Sequence, residues 1–224
     1  MKKILEFYIF TILVVLFSSY GCNVPLTPDT EINKGKRFYY YQGEKIFITM
    51  IDTLINVNYV DNATFNQVRG LNQKFNLPST FDSTKFFPDT LRQNNYIFIL
   101  PKGSKIDNYL TLYGLESVKT YGNESLVRYA TPSFELNGNV ISLRDEFIAS
   151  FYPASAMEDS IYLMNQKYSV EIVYKFQPVK ESLMYLLRVT KASPFDALDM
   201  ANIYNESSFT KYAVPNFGSG FTTN

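Results

Sequence analysis

No histidine occurs in the 224 residues. That absence excludes a Ser/His/Asp triad, a Cys/His dyad and any His-ligated zinc. The single cysteine can form no internal disulfide and supplies no thiolate cluster for a metal. Charge of one sign is also lacking, because 21 basic side chains stand against 21 acidic ones. Neither nucleic acid nor an anionic membrane surface therefore has an electrostatic reason to bind. There is no Gly-rich phosphate loop and no dinucleotide fingerprint, so neither a cofactor nor a small-molecule substrate is expected. Tryptophan is absent, but 18 Tyr, 19 Phe and a hydrophobic fraction of 46% are present. That much apolar surface excludes disorder as a whole, and the aromatic bias points to strands.

The N-terminus reads as an address. Met1, Lys2 and Lys3 precede an apolar run from Ile4 to Phe17, broken only by Glu6 and Thr11, which ends in Ser18-Ser19-Tyr20-Gly21-Cys22. This is the layout of a secretory signal, with an apolar stretch too short to span a bilayer comfortably. The sole cysteine follows it directly, which resembles a bacterial lipoprotein signal cut before an acylated cysteine. Residues 1–21 are then the signal, Cys22 the lipidation site, and 22–36, with two Pro and no aromatic, a linker. The chain is expected on the cell envelope, lipid-anchored at the outer membrane or its periplasmic face. The alternative is a plain signal peptide with an incidental cysteine.

Beyond the linker the chain repeats itself. Leu71-Asn72-Gln73-Lys74-Phe75 matches Met164-Asn165-Gln166-Lys167-Tyr168, Tyr96-Ile97-Phe98-Ile99-Leu100 matches Tyr185-Leu186-Leu187-Arg188-Val189, and Tyr129-Ala130-Thr131-Pro132-Ser133-Phe134 matches Tyr212-Ala213-Val214-Pro215-Asn216-Phe217. The offsets of 93, 89 and 83 residues drift in one direction, as insertions in the first copy would produce. The polar stretch Ser79 to Asn95 is the natural place for them. Each copy opens with an expected hairpin, turning at Gln42-Gly43 and at Asn137-Gly138.

In the second copy, strands are expected over Glu146 to Tyr152, Val170 to Phe176, Leu183 to Thr190 and Phe209 to Val214. A helix over Ser155 to Tyr168 places Met157, Ile161, Met164 and Tyr168 on one face. Ser193 is read as the cap of a second helix with Pro194 at its first position. The order β-α-β-β-α-β gives an antiparallel four-stranded sheet with both helices on one face, the ferredoxin-like arrangement. In the first copy, strands are expected over Leu54 to Val60, Tyr96 to Leu100 and Leu126 to Tyr129, with helices over Ala63 to Phe75 and Lys105 to Tyr113. The fold class is thus α+β: two tandem ferredoxin-like (βαββαβ) antiparallel-sheet domains, 37–134 and 135–217, each preceded by a β-hairpin, with a flexible tail at 218–224.

The stretches Phe147-Ile148-Ala149-Ser150-Phe151, Met164 to Val173, Tyr185 to Val189, Ala197 to Ser207 and the closing Tyr212-Ala213-Val214-Pro215-Asn216-Phe217 resemble the propeptide of secreted subtilisin-like proteases. The likeness is to the fervidolysin-like prodomain type found in Bacteroidota proteins. In that family the catalytic domain follows such an ending, whereas here Asn224 stands seven residues beyond Phe217. The resemblance implies a prodomain without its protease, and so no enzyme. It further implies a subtilisin-like serine protease as partner, inhibited or helped to fold in trans, with Tyr212, Ala213, Val214, Pro215, Asn216 and Phe217 as contacts. The other readings are a structural or interaction lipoprotein that keeps the fold, and a separated N-terminal fragment of a protease with no independent role.

Two other features have plainer readings. Glu158-Asp159 and Asp196/Asp199, which could be offered as paired acid/base carboxylates, are read as charges on solvated helix faces. Tyr39-Tyr40-Tyr41 could contact carbohydrate or protein, and is read as a hairpin strand with alternating burial. The position of Cys22 predicts that a fatty-acid analogue labels the wild-type chain in cells and leaves Cys22→Ala unlabelled. Equal labelling of both would remove the anchor.

Overall fold

Two tight turns fix the strand register. Gln42 and Gly43 have φ of 52° and 85°, and Asn137 and Gly138 have 52° and 78°. These are the left-handed pairs of type I′ turns, whose twist suits the strands they join. The computed structural model describes residues 36–77, 95–152, 155–176 and 183–218. The expected signal segment, Cys22, almost all of the expected linker, most of the expected insertion and residues 219–224 of the expected tail lie outside the described residues.

The first turn joins β1 (Lys36–Tyr41) to β2 (Glu44–Tyr59), and the second joins β4 (Val127–Leu136) to β5 (Asn139–Phe151). Between β2 and β4 come α1 (Phe65–Lys74), β3 (Asn95–Ile99) and a single 3₁₀ turn at Ile106–Asn108. After β5 come α2 (Ser155–Tyr168), β6 (Val170–Lys175), β7 (Leu183–Val189), α3 (Ala197–Asn205) and β8 (Thr210–Gly218). The fold is α+β, and its described strands form one eight-stranded antiparallel sheet. Register breaks after Ile51 and Leu143 let β2 and β5 each serve two sets of neighbours. The first half of β2 pairs with β1 and its second half with β3, while β4 runs along both. The start of β5 pairs with β4, and the rest lies between β7 and β8, with β6 beyond β7.

One pairing pattern occurs twice. Ile55, Val57 and Tyr59 face Pro132, Ala130 and Val127, and Phe147, Ala149 and Phe151 face Pro215, Ala213 and Thr210, with a register break at the same step in both sets. Val57 also faces Tyr96 as Ala149 faces Tyr185. The matched asparagines have matched roles. Buried Asn72 accepts hydrogen bonds from the hydroxyls of Tyr59 (3.2 Å) and Tyr121 (2.7 Å), and buried Asn165 accepts one from the Tyr204 hydroxyl. A buried amide without such a partner would cost about 1–3 kcal/mol.

Two apolar clusters result. Ile55, Val57, Val68, Leu71 and Tyr121 centre one, and Phe147, Phe151, Ile161, Leu187 and Leu198 the other. Ile48 and Phe134, from β2 and β4, belong to the second cluster, and Tyr39 packs against it. The first hairpin therefore fills the core built by the later strands.

Several local expectations fail for tertiary reasons. The helix expected over Lys105 to Tyr113 is only the 3₁₀ turn at Ile106–Asn108. Past it, the Thr111 amide donates to Ala130 O and the Thr111 hydroxyl accepts from the Ala130 amide, both at 2.8 Å, so this backbone serves the edge of β4 instead of a helix. Ser193 does not cap α3. Asp196 does, accepting from the amides of Leu198 and Asp199, while the Ser193 hydroxyl accepts from the Phe195 amide one turn earlier. The last strand continues past Val214 to Gly218, which pairs with Ser142 and so is not part of a tail.

Nor do Asp196 and Asp199 mark a solvated face. Arg37 of β1 donates to both oxygens of Asp196 at 2.5 and 2.8 Å and lies 2.6 Å from Asp199, with all three side chains largely buried. Glu158 is on a solvated face, 3.3 Å from Lys175. Arg37→Ala would leave two acids together without a counter-charge. Because the group keeps some solvent contact, the expected loss is about 2–3 kcal/mol, below the roughly 3–5 kcal/mol of a fully buried pair. Urea denaturation measures it, and a loss under about 0.5 kcal/mol would show the clasp to be idle.

Candidate partner-binding face

Alternation along β5 sends Phe147, Ala149 and Phe151 into the core and leaves Ile148 and Ser150 on the opposite face. Ile148 is flanked by Leu186 of β7 and Val214 of β8, and Ser150 by Met184 and Tyr212. Tyr174 of β6 lies beside Leu186. The result is an apolar sheet face with half-buried Ile148, Leu186 and Val214 at its centre and Tyr212 and Tyr174, 39% and 55% exposed, towards its margins. The Tyr212 hydroxyl lies 3.5 Å from Met184 Sδ, which holds the ring across the strands.

The six residues expected from sequence as contacts lie together on β8 but do not share one environment. Tyr212, Val214 and Asn216 alternate with Ala213 and Pro215, which are buried towards the core. Phe217 packs edge-on against Tyr39, with ring centroids 5.3 Å apart. Asn216 Nδ2 donates to Glu146 at 3.2 Å. The free edge of β8 is also partly closed. The side-chain amide of Asn205 donates to Ala213 O at 2.8 Å and accepts from the Ala213 amide at 3.3 Å, and Pro215 has no N–H to offer.

A charged row borders the apolar face. Arg188 donates to Glu146 at 2.7 Å, and its Nε lies 3.6 Å from Asp145. These groups line a groove of about 610 Å³ where Asn58 and Tyr129 meet Arg144, Asp145, Tyr174 and Arg188. Burial pushes the Asp145 carboxyl up to about 7, with Glu146 adding to the rise and Arg188 opposing it. In the clasp, burial and the neighbouring Asp196 raise Asp199 to about 6. Burial also works against ionisation of Asp196, but Arg37 and the helix amides override it and hold that carboxyl below its ordinary value. Among the described residues, no group of three or more acidic, Cys or His side chains is placed to hold a metal.

No protein family, curated protein or solved structure was found to match this chain.

Sequence reasoning passed over Asp145, Glu146, Arg188 and Arg37. The triplet Arg144-Asp145-Glu146 inside an otherwise apolar strand is the signal that could have revealed the first two, since three consecutive charges break the alternation where β5 breaks register.

Asp145 and Asp199 bind protons more tightly in the folded than in the unfolded chain, where a carboxyl titrates near 4. Between about pH 4 and pH 7 the native state therefore holds more protons, and stability falls as pH rises. Urea midpoints at about pH 5 and about pH 8 should show this loss in the wild type, and a smaller loss in Asp145→Asn. An equal slope in the variant would mean that Asp145 is not the titrating group.

Proposed function

We propose that the chain is a non-enzymatic inhibitor or folding helper of a subtilisin-like protease, acting in trans and held on the cell envelope through Cys22. Its two units are read as tandem ferredoxin-like domains. The neighbour order β8-β5-β7-β6 in the second, and the matching order β4-β2-β3 in the first, support that reading. The observation that carries the function is the apolar sheet face around Ile148, Leu186, Val214 and Tyr212, opposite the core that α2 and α3 help to build. A propeptide of this family lays such a face against its protease. A standard interface would bury about 800 Å² on each partner.

Within this reading Tyr212, Val214 and Asn216 touch the partner, while Ala213, Pro215 and Phe217 hold the strand that presents them. A structural or interaction lipoprotein is the second reading. It is favoured by the closed edge of β8 and by the packing of Phe217 on Tyr39, which commit the closing segment to the fold.

Purified chain carrying Cys22→Ser should slow a subtilisin-like protease secreted by the same organism. Tyr212→Ala combined with Leu186→Ser should raise the inhibition constant at least about tenfold, as the loss of an aromatic anchor together with a central apolar contact does, with little change in unfolding midpoint. Absence of inhibition by the unmutated face against every secreted subtilase of that organism would leave the structural reading.

A further inference from the structure

Three register breaks of the sheet open onto one place. Arg128 is the extra residue of β4 between its pairs with Tyr59 and Asn58, and Val173 is the extra residue of β6 between its pairs with Leu187 and Leu186. On β5 the break leaves Arg144, Asp145 and Glu146 against Asn216 alone of β8. All five of these residues line the groove of about 610 Å³, which lies where β4 and β5 cease to pair beyond Ser133 and Ser142. In a regular strand neighbouring side chains point to opposite faces, so three in a row reach one groove only because the strand is irregular. Bulges re-aim side chains in this way, and they gather beside binding sites. We propose that the groove binds a carboxylate carried on an apolar body.

The ligand's charge follows from what the groove leaves unmet. Both oxygens of Glu146 are used, by Arg188 at 2.7 Å and by Asn216 at 3.2 Å, and Asp61 takes Arg128 at 2.5 Å. Burial holds the Asp145 carboxyl up at about 7, so it is largely uncharged at about pH 6. Arg144 has no carboxylate partner among the described residues, and its Nε is buried without an acceptor. The Nε of Arg188 is buried and unmet as well, because Asp145 at 3.6 Å is beyond hydrogen-bond reach. Buried charged donors without acceptors are costly, and an anion in the groove removes that cost. One cation in excess suits a single negative charge, and a guanidinium takes a carboxylate through its planar fork.

The apolar body follows from the β6 side. Val173 and Tyr174 both line the groove because of the bulge, together with Phe176, whose ring meets that of Tyr174 edge-on with centroids 5.0 Å apart. The volume lies within the roughly 300–1,000 Å³ of small-ligand sites. Tyr174 and Leu186 are shared with the apolar face, but the inference does not rest on the protease reading, because its test needs no protease.

The probe is 3-phenylpropionate, titrated calorimetrically at about pH 6 into the full chain carrying Cys22→Ser. It should bind with Kd below about 1 mM. The amide of the same acid, 2-phenylethylammonium and inorganic phosphate should each bind at least about tenfold more weakly. Arg144→Gln should weaken 3-phenylpropionate at least about tenfold and leave the unfolding midpoint in place, since Arg144 has no ion pair to lose. Tyr174→Ala should weaken it too, through the apolar body. N-acetyl-Ala-Ala-Phe with a free carboxylate separates two sources of the ligand: tighter binding than 3-phenylpropionate assigns the groove to a peptide end, and weaker binding assigns it to a free acid. The proposal is overturned if 3-phenylpropionate does not bind, if its amide or phosphate binds equally well, or if Arg144→Gln binds as the wild type does.

Discussion

The ion cluster of Arg37 with Asp196 and Asp199 holds the first strand to the last helix, and much of the architecture depends on it. One carboxylate, Asp196, does two things: it caps α3 through the amides of Leu198 and Asp199 and it receives the guanidinium of a strand 159 residues away. Removing water from three charges is costly, and it is offset by the two bonds of Arg37 to Asp196, its contact with Asp199 and the two helix amides that Asp196 accepts. With α3 fixed in this way, its side chains reach two strands at once. Asn202 bonds β1 at Phe38 and Asn205 bonds β8 at Ala213. The helix thus substitutes for the ladder that β1 and β8 do not form.

The two halves solve the same problems with different residues. The outward backbone groups of Ala213 are met by an asparagine amide, and those of Ala130 by the amide and hydroxyl of Thr111. A regular helix supplies the first device and an irregular loop the second. That loop passes so tightly that a Cβ on Gly122 would sit 2.2 Å from the Thr111 nitrogen. Equal pairing registers therefore survive beside unequal helices, because the strand edge demands hydrogen bonds and is indifferent to what provides them.

This explains which parts of the fold are legible in sequence. The turns at Gln42-Gly43 and Asn137-Gly138, the helix around Leu71, and the antiparallel α+β character follow from local chemistry and periodicity, and they are found in place. The helix expected near Lys105 fails because a distant strand claims the backbone groups of Thr111. The role of Asp196 and Asp199 is illegible because their partner stands at the other end of the described chain. In the candidate face, the run Tyr212 to Phe217 is legible as a segment. Its division into outward Tyr212, Val214 and Asn216 and inward Ala213 and Pro215 needs the knowledge that the strand continues to Gly218. The charged row fails to announce itself because Asp145, Glu146 and Arg188 converge only once β5 and β7 have paired.

The position of Arg37 also has a mechanical meaning. Tension applied to the chain at Lys36 acts at the open mouth of a hairpin whose pairs run from Lys36 and Thr49 to Tyr41 and Glu44. A hairpin pulled at its mouth opens like a zipper, one pair at a time and at low force. Here the second residue in line is fastened to α3 by two carboxylates. The zipper cannot pass Arg37 until that latch yields, so a load that would peel β1 from β2 is carried instead into the helix and, through Asn205, into β8 and the strands paired with it.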